Sequence, residues 1–181
     1  MNMRLLFLDF VLTNRLKKKK LDELFEVTAE AFQIEPPNLE GLRFKDLLRA
    51  YAEFTRDAAI REINKNKDVG ETGQRLYRGA FRTGEKIRRE LKIRSRKDAM
   101  RAARLIYSSI GIDFHYSNSG EVVVRRCYFS DFYSCQVCWI ISSLDEGLIA
   151  GLTDGGRLWF VSRITEGSNC CIGGVDFKEA G

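Results

Sequence analysis

Five cysteines crowd the last third of this 181-residue chain: Cys127, Cys135, Cys138, Cys170 and Cys171, with none before them. Cys135 and Cys138 stand three apart, a spacing that puts both thiols on one side of a helix. Cys127 falls near the end of an expected strand feeding that helix, so the connection brings it close. Cys170 and Cys171 are neighbours on a strand and point to opposite faces, so only one of them readily joins the others. Three or four converging thiolates suit tetrahedral zinc, each at roughly 2.3 Å from the metal. The competing use is structural, because free cysteine is among the most buried residue types and packs as a small hydrophobe. An odd number of thiols in a chain expected to be cytoplasmic argues against a structural disulfide set.

Other side chains could hold a ligand. Arg163 and Glu166 flank a tight turn, where they either present charge to a polar molecule or pair with each other. Phe114, Tyr128, Trp139 and Trp159, with Phe129, Phe132 and Phe160, either line an apolar pocket or form the core. A cysteine nucleophile needs a base within hydrogen-bond reach. The chain has one histidine, His115, and nothing in the spacing of Asp145, Glu146 or Glu166 singles out such a base. Sequence chemistry therefore does not establish catalysis.

The elements that must position these groups change character once along the chain. Helices are expected from about Met3 to Leu16 and from Lys20 to Gln33, followed by a break at Pro36-Pro37. Phe44, Leu47, Leu48, Tyr51, Phe54, Thr55 and Ala58 recur at helical spacing. Gly70 and Gly73 punctuate an expected loop. A further amphipathic helix carries Leu76, Ala80, Gly84, Ile87 and Leu91, and its small residues let a neighbouring backbone approach. Ser95 with Asp98 three residues on reads as a helix start, and Gly111 as its end. From there the pattern alternates: a strand with Ile112, Phe114 and Tyr116, a turn over 117–120, and a return from Glu121 to Phe129. A helix from about Tyr133 to Ile149, then strands at 157–165 and 170–177, complete an α+β fold with the helices first and an antiparallel sheet second.

Composition bounds the rest. The net charge of +5 divides into +9 over residues 1–111 and −4 over 112–181. Residues 75–104 hold 12 Lys+Arg against 3 Asp+Glu, but without interleaved aromatics or a helix-turn-helix pattern, so nucleic acid is kept only as a weak alternative partner. The first twelve residues are apolar but lack the order of charge and cleavage signals of a leader peptide. No stretch is expected to cross a bilayer, and a cytoplasmic location follows as the expectation.

The order of pieces from Leu76 to Phe177 resembles the 4-vinyl reductase domain, a small-molecule or hydrocarbon-binding family. The matching pieces are Tyr77-Arg-Gly-Ala-Phe-Arg-Thr-Gly84, Ile110-Gly111, Arg126-Cys127, Cys138, Glu146-Gly-Leu-Ile-Ala-Gly-Leu152, and Arg163-Ile-Thr-Glu-Gly167 followed by Cys170-Cys171. The region around Arg126-Cys127 and from Arg163 to Cys171 is also similar to aminothiazoline-carboxylate hydrolases, which would imply hydrolysis of a C–N or C–S bond with Cys127 or Cys171 as nucleophile or substrate contact. The larger fold group implied includes haem-based nitric-oxide sensor domains and Golgi vesicle-transport subunits, with helices against an antiparallel sheet. Phenol-sensing relatives of the first family bind zinc. Cys138 and Cys171 match two of their cysteine ligands, whereas Arg163 stands at another cysteine position and Phe160 at a glutamate. The resemblance thus favours Cys171 of the adjacent pair, and the expected metal set is Cys127, Cys135, Cys138 and Cys171, with Cys170 as an alternative to Cys135. Haem is not expected, because His115 lies on a strand beside a turn and not at the helical position of an axial ligand. The implied organisation is a helical region over residues 1–70, covering or dimerising, and an α+β ligand-binding domain over 71–181. The implied function is a homodimeric small-molecule sensor, its ligand touching Phe114, Tyr128, Trp139, Trp159, Arg163 and Glu166.

Overall fold

The computed structural model describes residues 14–65, 69–117 and 119–177. Four helices come first: α1 (Asn14–Phe32), α2 (Phe44–Asn64), α3 (Val69–Glu90) and α4 (Arg96–Ser109). Strands β1 (Ile112–Tyr116) and β2 (Glu121–Cys127) come next, then helix α5 (Cys135–Thr153), β3 (Arg157–Ser162) and β4 (Cys171–Asp176). The four strands form one antiparallel sheet in the order β1-β2-β4-β3. The expected α+β class, helices followed by an antiparallel sheet, is the one the chain adopts.

Local chemistry explains most boundaries. The Asp98 amide donates to Ser95 Oγ at 3.1 Å and opens α4, a serine N-cap satisfying an otherwise orphaned donor. Gly111, at φ +79°, turns the chain from α4 into β1, a conformation that costs glycine little. Ser134 caps α5 by accepting from the Val137 amide at 3.3 Å.

Several expected boundaries move. Residues 3–13 of the helix expected from Met3 to Leu16 lie outside the described residues, and α1 runs unbroken through the lysine run, with no break between Leu16 and Lys20. Gly70 and Gly73 are not a loop but the first turns of α3. The strand expected to reach Phe129 stops at Cys127, where a 3-10 turn over Tyr128–Asp131 begins. Likewise β3 ends at Ser162, and a 3-10 turn over Ile164–Glu166 leads toward β4.

Helix α5 is the centre of the molecule. At Gly147 and Gly151 a β-carbon would collide with the carbonyl oxygens of Tyr77 and Phe81 on α3, and one at Gly84 would collide with the Leu148 carbonyl. Gly147 and Gly151 thus serve the backbone packing of α5 on α3. With 19 residues and a mean hydropathy of 1.2, α5 meets the length and composition of a bilayer-spanning helix, contrary to the expectation that no stretch would. Over half of it is buried within the protein, as in the core helix of a globular fold.

Side chains of the early helices and of the sheet share one core. Phe25 of α1 meets Tyr51 of α2 edge-on at 4.9 Å, and Tyr51 meets Phe129 at 6.0 Å. Leu47, Tyr107, Phe114, Val122, Leu152 and Leu158 belong to the same buried cluster. The other sheet face is solvent-facing, with Trp159, Val161 and Ile172 exposed.

Candidate functional site

A cavity of about 410 Å³ opens inside this core. Its walls are α1, α3, α4 and α5, contributed chiefly by Leu24, Val27, Ile87, Leu105, Ile106 and Leu148. Its charged lining residues are Lys20, Glu23, Glu90 and Asp145. Glu90 is exposed, and Lys20 and Glu23 are partly exposed and paired at 2.8 Å, which marks the solvent side. Asp145 is different: it borders the cavity from α5, half-buried, and the protein around it desolvates its carboxyl.

Around Asp145 the apolar wall gives way to a polar region made of Tyr107, Cys127, Cys138, Thr165 and Cys171. Burial raises the Asp145 carboxyl from 3.8 to about 6, against a partial lowering by Tyr107 and by the Arg163 guanidinium. Burial likewise raises the Cys127 thiol to about 12 and pushes Cys138 and Cys171 upward. All three thiols are therefore protonated at neutral pH. Thiolate is the reactive and metal-binding form, so the region holds weak hydrogen-bond donors in place of a ready nucleophile.

Each of these groups is positioned by a neighbour. Tyr107 stacks on Phe114 with centroids 4.8 Å apart, which fixes its ring against the sheet at the border of the cavity. Cys171 Sγ accepts from the Ile164 amide at 3.4 Å. Cys138 and Asp145 lie seven residues apart on α5 with Ser142 between them, one stripe at helical spacing. Two hydroxyls in the region are buried without a hydrogen-bond partner among the described residues, Tyr107 Oη and Thr165 Oγ1. Tyr107 Oη is near enough to Asp145 for each to shift the other, and Thr165 is similarly close to the Cys138 thiol, but neither contact has the geometry of a full hydrogen bond.

The cysteines expected to hold zinc are divided. Cys127, Cys138 and Cys171 border the cavity, while Cys135 lies outside it with its thiol 3.9 Å from Glu166 Oε1. Cys170 is outside as well. Among the described residues, no three histidine, cysteine, aspartate or glutamate side chains stand close enough together to hold a metal ion.

The residues expected to touch ligand lie elsewhere than the cavity wall. Phe114 is buried behind Tyr107, and Tyr128 packs on Phe129 and Phe132. Trp159 is on the outer sheet face, over Gly174. Trp139, Arg163 and Glu166 form a separate cluster at the start of α5. Buried Arg163 is sandwiched between the Trp139 and Phe160 rings at 4.8 and 4.9 Å, and Trp139 Nε1 donates to Glu166 Oε1 at 3.0 Å. Arg163 thus acts on the cavity through its charge, from behind the wall. Type and spacing alone do not single out Tyr107, Thr165 or the helical residues of the wall as ligand contacts. They offer Asp145 only as a base, although its seven-residue offset from Cys138 on an apolar helix is a readable signal.

No protein-family model and no curated protein matches the chain. Among solved structures it is similar to a trafficking protein particle complex subunit 3 from Naegleria fowleri, covalently bound to palmitic acid. The two are 14% identical with a TM-score of 0.51, over 75% of this chain and 97% of that one. The likeness is one of fold, and it falls on the vesicle-transport side of the implied fold group.

Proposed function

We propose that this protein binds a hydrophobic small molecule in the cavity between α1, α3, α4 and α5. The observation that carries the reading is the cavity itself: about 410 Å³ of space, walled by leucine, isoleucine and valine and enclosed by helices that pack elsewhere at backbone contact. That size falls within the roughly 300–1,000 Å³ of small-molecule sites, which are mostly apolar with a few placed polar groups. The fold neighbour's covalently bound palmitic acid supports a lipid-like occupant. The order of motifs resembling 4-vinyl reductase domains supports the same class. The raised thiols weigh against the hydrolase reading, because a cysteine nucleophile works as thiolate.

The test fills the cavity. Ala80→Leu and Leu148→Trp each place added side-chain volume in the cavity. Both variants are expected to fold with unchanged or raised melting temperature and to lose binding of an apolar fluorophore and of medium-chain amphiphiles. Occupying a void restores dispersion contacts without crowding. Retained binding in both variants, with folding intact, would overturn the reading.

A further inference from the structure

Resting on that reading, we infer that the preferred ligand carries a neutral hydroxyl, as an aliphatic alcohol does, and that Tyr107, Asp145 and Thr165 receive it. Tyr107 is 3% exposed, borders the cavity, and its hydroxyl has no hydrogen-bond partner among the described residues. Thr165 Oγ1 is a second buried hydroxyl without a partner, bordering the same cavity. Tyr107 Oη approaches only Asp145, and Thr165 Oγ1 only the Cys138 thiol, neither at full hydrogen-bond geometry, so each keeps bonding capacity that a polar atom supplied from outside the chain can take up. Asp145 adds an acceptor-only carboxylate when ionised.

The donor and acceptor inventory selects among head groups. Ionised Asp145 needs a donor, while Tyr107 and Thr165 can each donate or accept. One hydroxyl satisfies the set, giving its proton to Asp145 and accepting from Tyr107 and Thr165 with its two lone pairs. A carboxylate would bring a second negative charge beside Asp145, and like charges in a desolvated site repel strongly. An ammonium would pair with Asp145, but Arg163 already stabilises that carboxylate from behind the wall. A second cation would lose its hydration and meet the Arg163 charge that acts on the same carboxylate. The protonated thiols of Cys127, Cys138 and Cys171 complete a polar but uncharged surround.

Matched-chain probes test this: 1-decanol, decanoate and decylamine, measured by displacement of a bound apolar fluorophore from the full-length protein at pH 7.5. Decanol is expected to bind at least about tenfold more tightly than either charged analogue. Tyr107→Phe and Thr165→Val remove only a hydroxyl or exchange it for a methyl, and each is expected to weaken decanol about five- to tenfold while leaving the charged analogues nearly unchanged. Asp145→Leu is expected to erase the preference. If decanoate or decylamine binds as tightly as decanol, and the hydroxyl-removing variants shift all three alike, the head-group assignment fails while the cavity reading stands. If the fluorophore and all three probes fail to bind folded protein, the cavity reading fails and takes this inference with it.

Discussion

At the scale of single residues, Asp145 carries the most consequence, because a desolvated carboxylate is a cost that folding must carry. Its carboxyl titrates at about 6 in the folded chain against 3.8 for the free group. A raised carboxyl pKa means that the folded state holds the proton more tightly than the unfolded one. Its contribution is therefore most favourable below the unfolded value and is lost as pH rises through the folded value. The difference corresponds to about 3 kcal/mol at neutral pH and above. Tyr107, Arg163 and Glu146 face the same carboxyl and set its position. Asp145→Asn is thus expected to raise stability by a few kcal/mol at pH 8, with the advantage shrinking steadily as pH falls from about 6 to about 4. Urea unfolding of both proteins across that range measures it, and an advantage independent of pH would refute the assignment. This residue also shows where reading from sequence runs out. Cys127, Cys138 and Cys171 stand out by type and spacing, and they do meet at one cavity. Tyr107 and Thr165 look like ordinary core and turn residues, because an unpaired hydroxyl is a property of tertiary surroundings and leaves no mark on the local pattern.

At the scale of elements, periodicity made most helices and strands legible, and misplaced boundaries trace to identifiable physics. Gly70 and Gly73 read as loop because glycine weakens a helix by about 1 kcal/mol relative to alanine. In α3 they are overridden by packing: a β-carbon at Gly73 would sit 3.1 Å from Ser143 Oγ of α5. Gly151 makes the same case more sharply. Were it an ordinary exposed helical site, Gly151→Ala would stabilise the protein through propensity alone. Here a methyl would meet the Phe81 carbonyl and the Glu85 amide, which no rotamer change relieves. Gly151→Ala is therefore expected to destabilise by roughly 1–3 kcal/mol, the range of overpacking in a tight core. The sign of the shift in the denaturant midpoint decides the matter, since stabilisation would mean that α3 and α5 do not approach at backbone distance. The same crossing positions the site, because α5 carries Cys138, Ser142 and Asp145 along one stripe into the cavity.

At the scale of the whole molecule, the described residues of the early helices share core and cavity wall with the remainder of the chain. The boundary at 70 falls in the first turn of α3, and the pieces on either side share walls and core. Leu21, Leu24 and Val27 of α1 and Tyr51 of α2 face the cavity. Phe25, Leu47 and Tyr51 are buried in the cluster that also holds Tyr107, Val122 and Leu158. Part of the basic stretch beginning at residue 75 is tied into this frame: Arg75 Nε donates to the Ala31 carbonyl at 2.7 Å, and Arg88 pairs with Asp154 at 2.9 Å. Removing residues 1–70 would strip one wall of the cavity and expose apolar surfaces of α3, α4 and α5 together. A fragment of residues 71–181 is accordingly expected to lose cooperative thermal unfolding and to bind apolar dyes without saturation, as loosely packed chains do. The full-length chain is expected to melt in one transition and to gain stability as ligand is added, by about 2.7 kcal/mol at a hundredfold excess over Kd. Calorimetry of both proteins, with and without decanol, separates the possibilities. A fragment that melts cooperatively and responds to ligand as the full chain does would make the early helices a cover laid over a finished domain, whereas loss of both properties makes them part of the binding site.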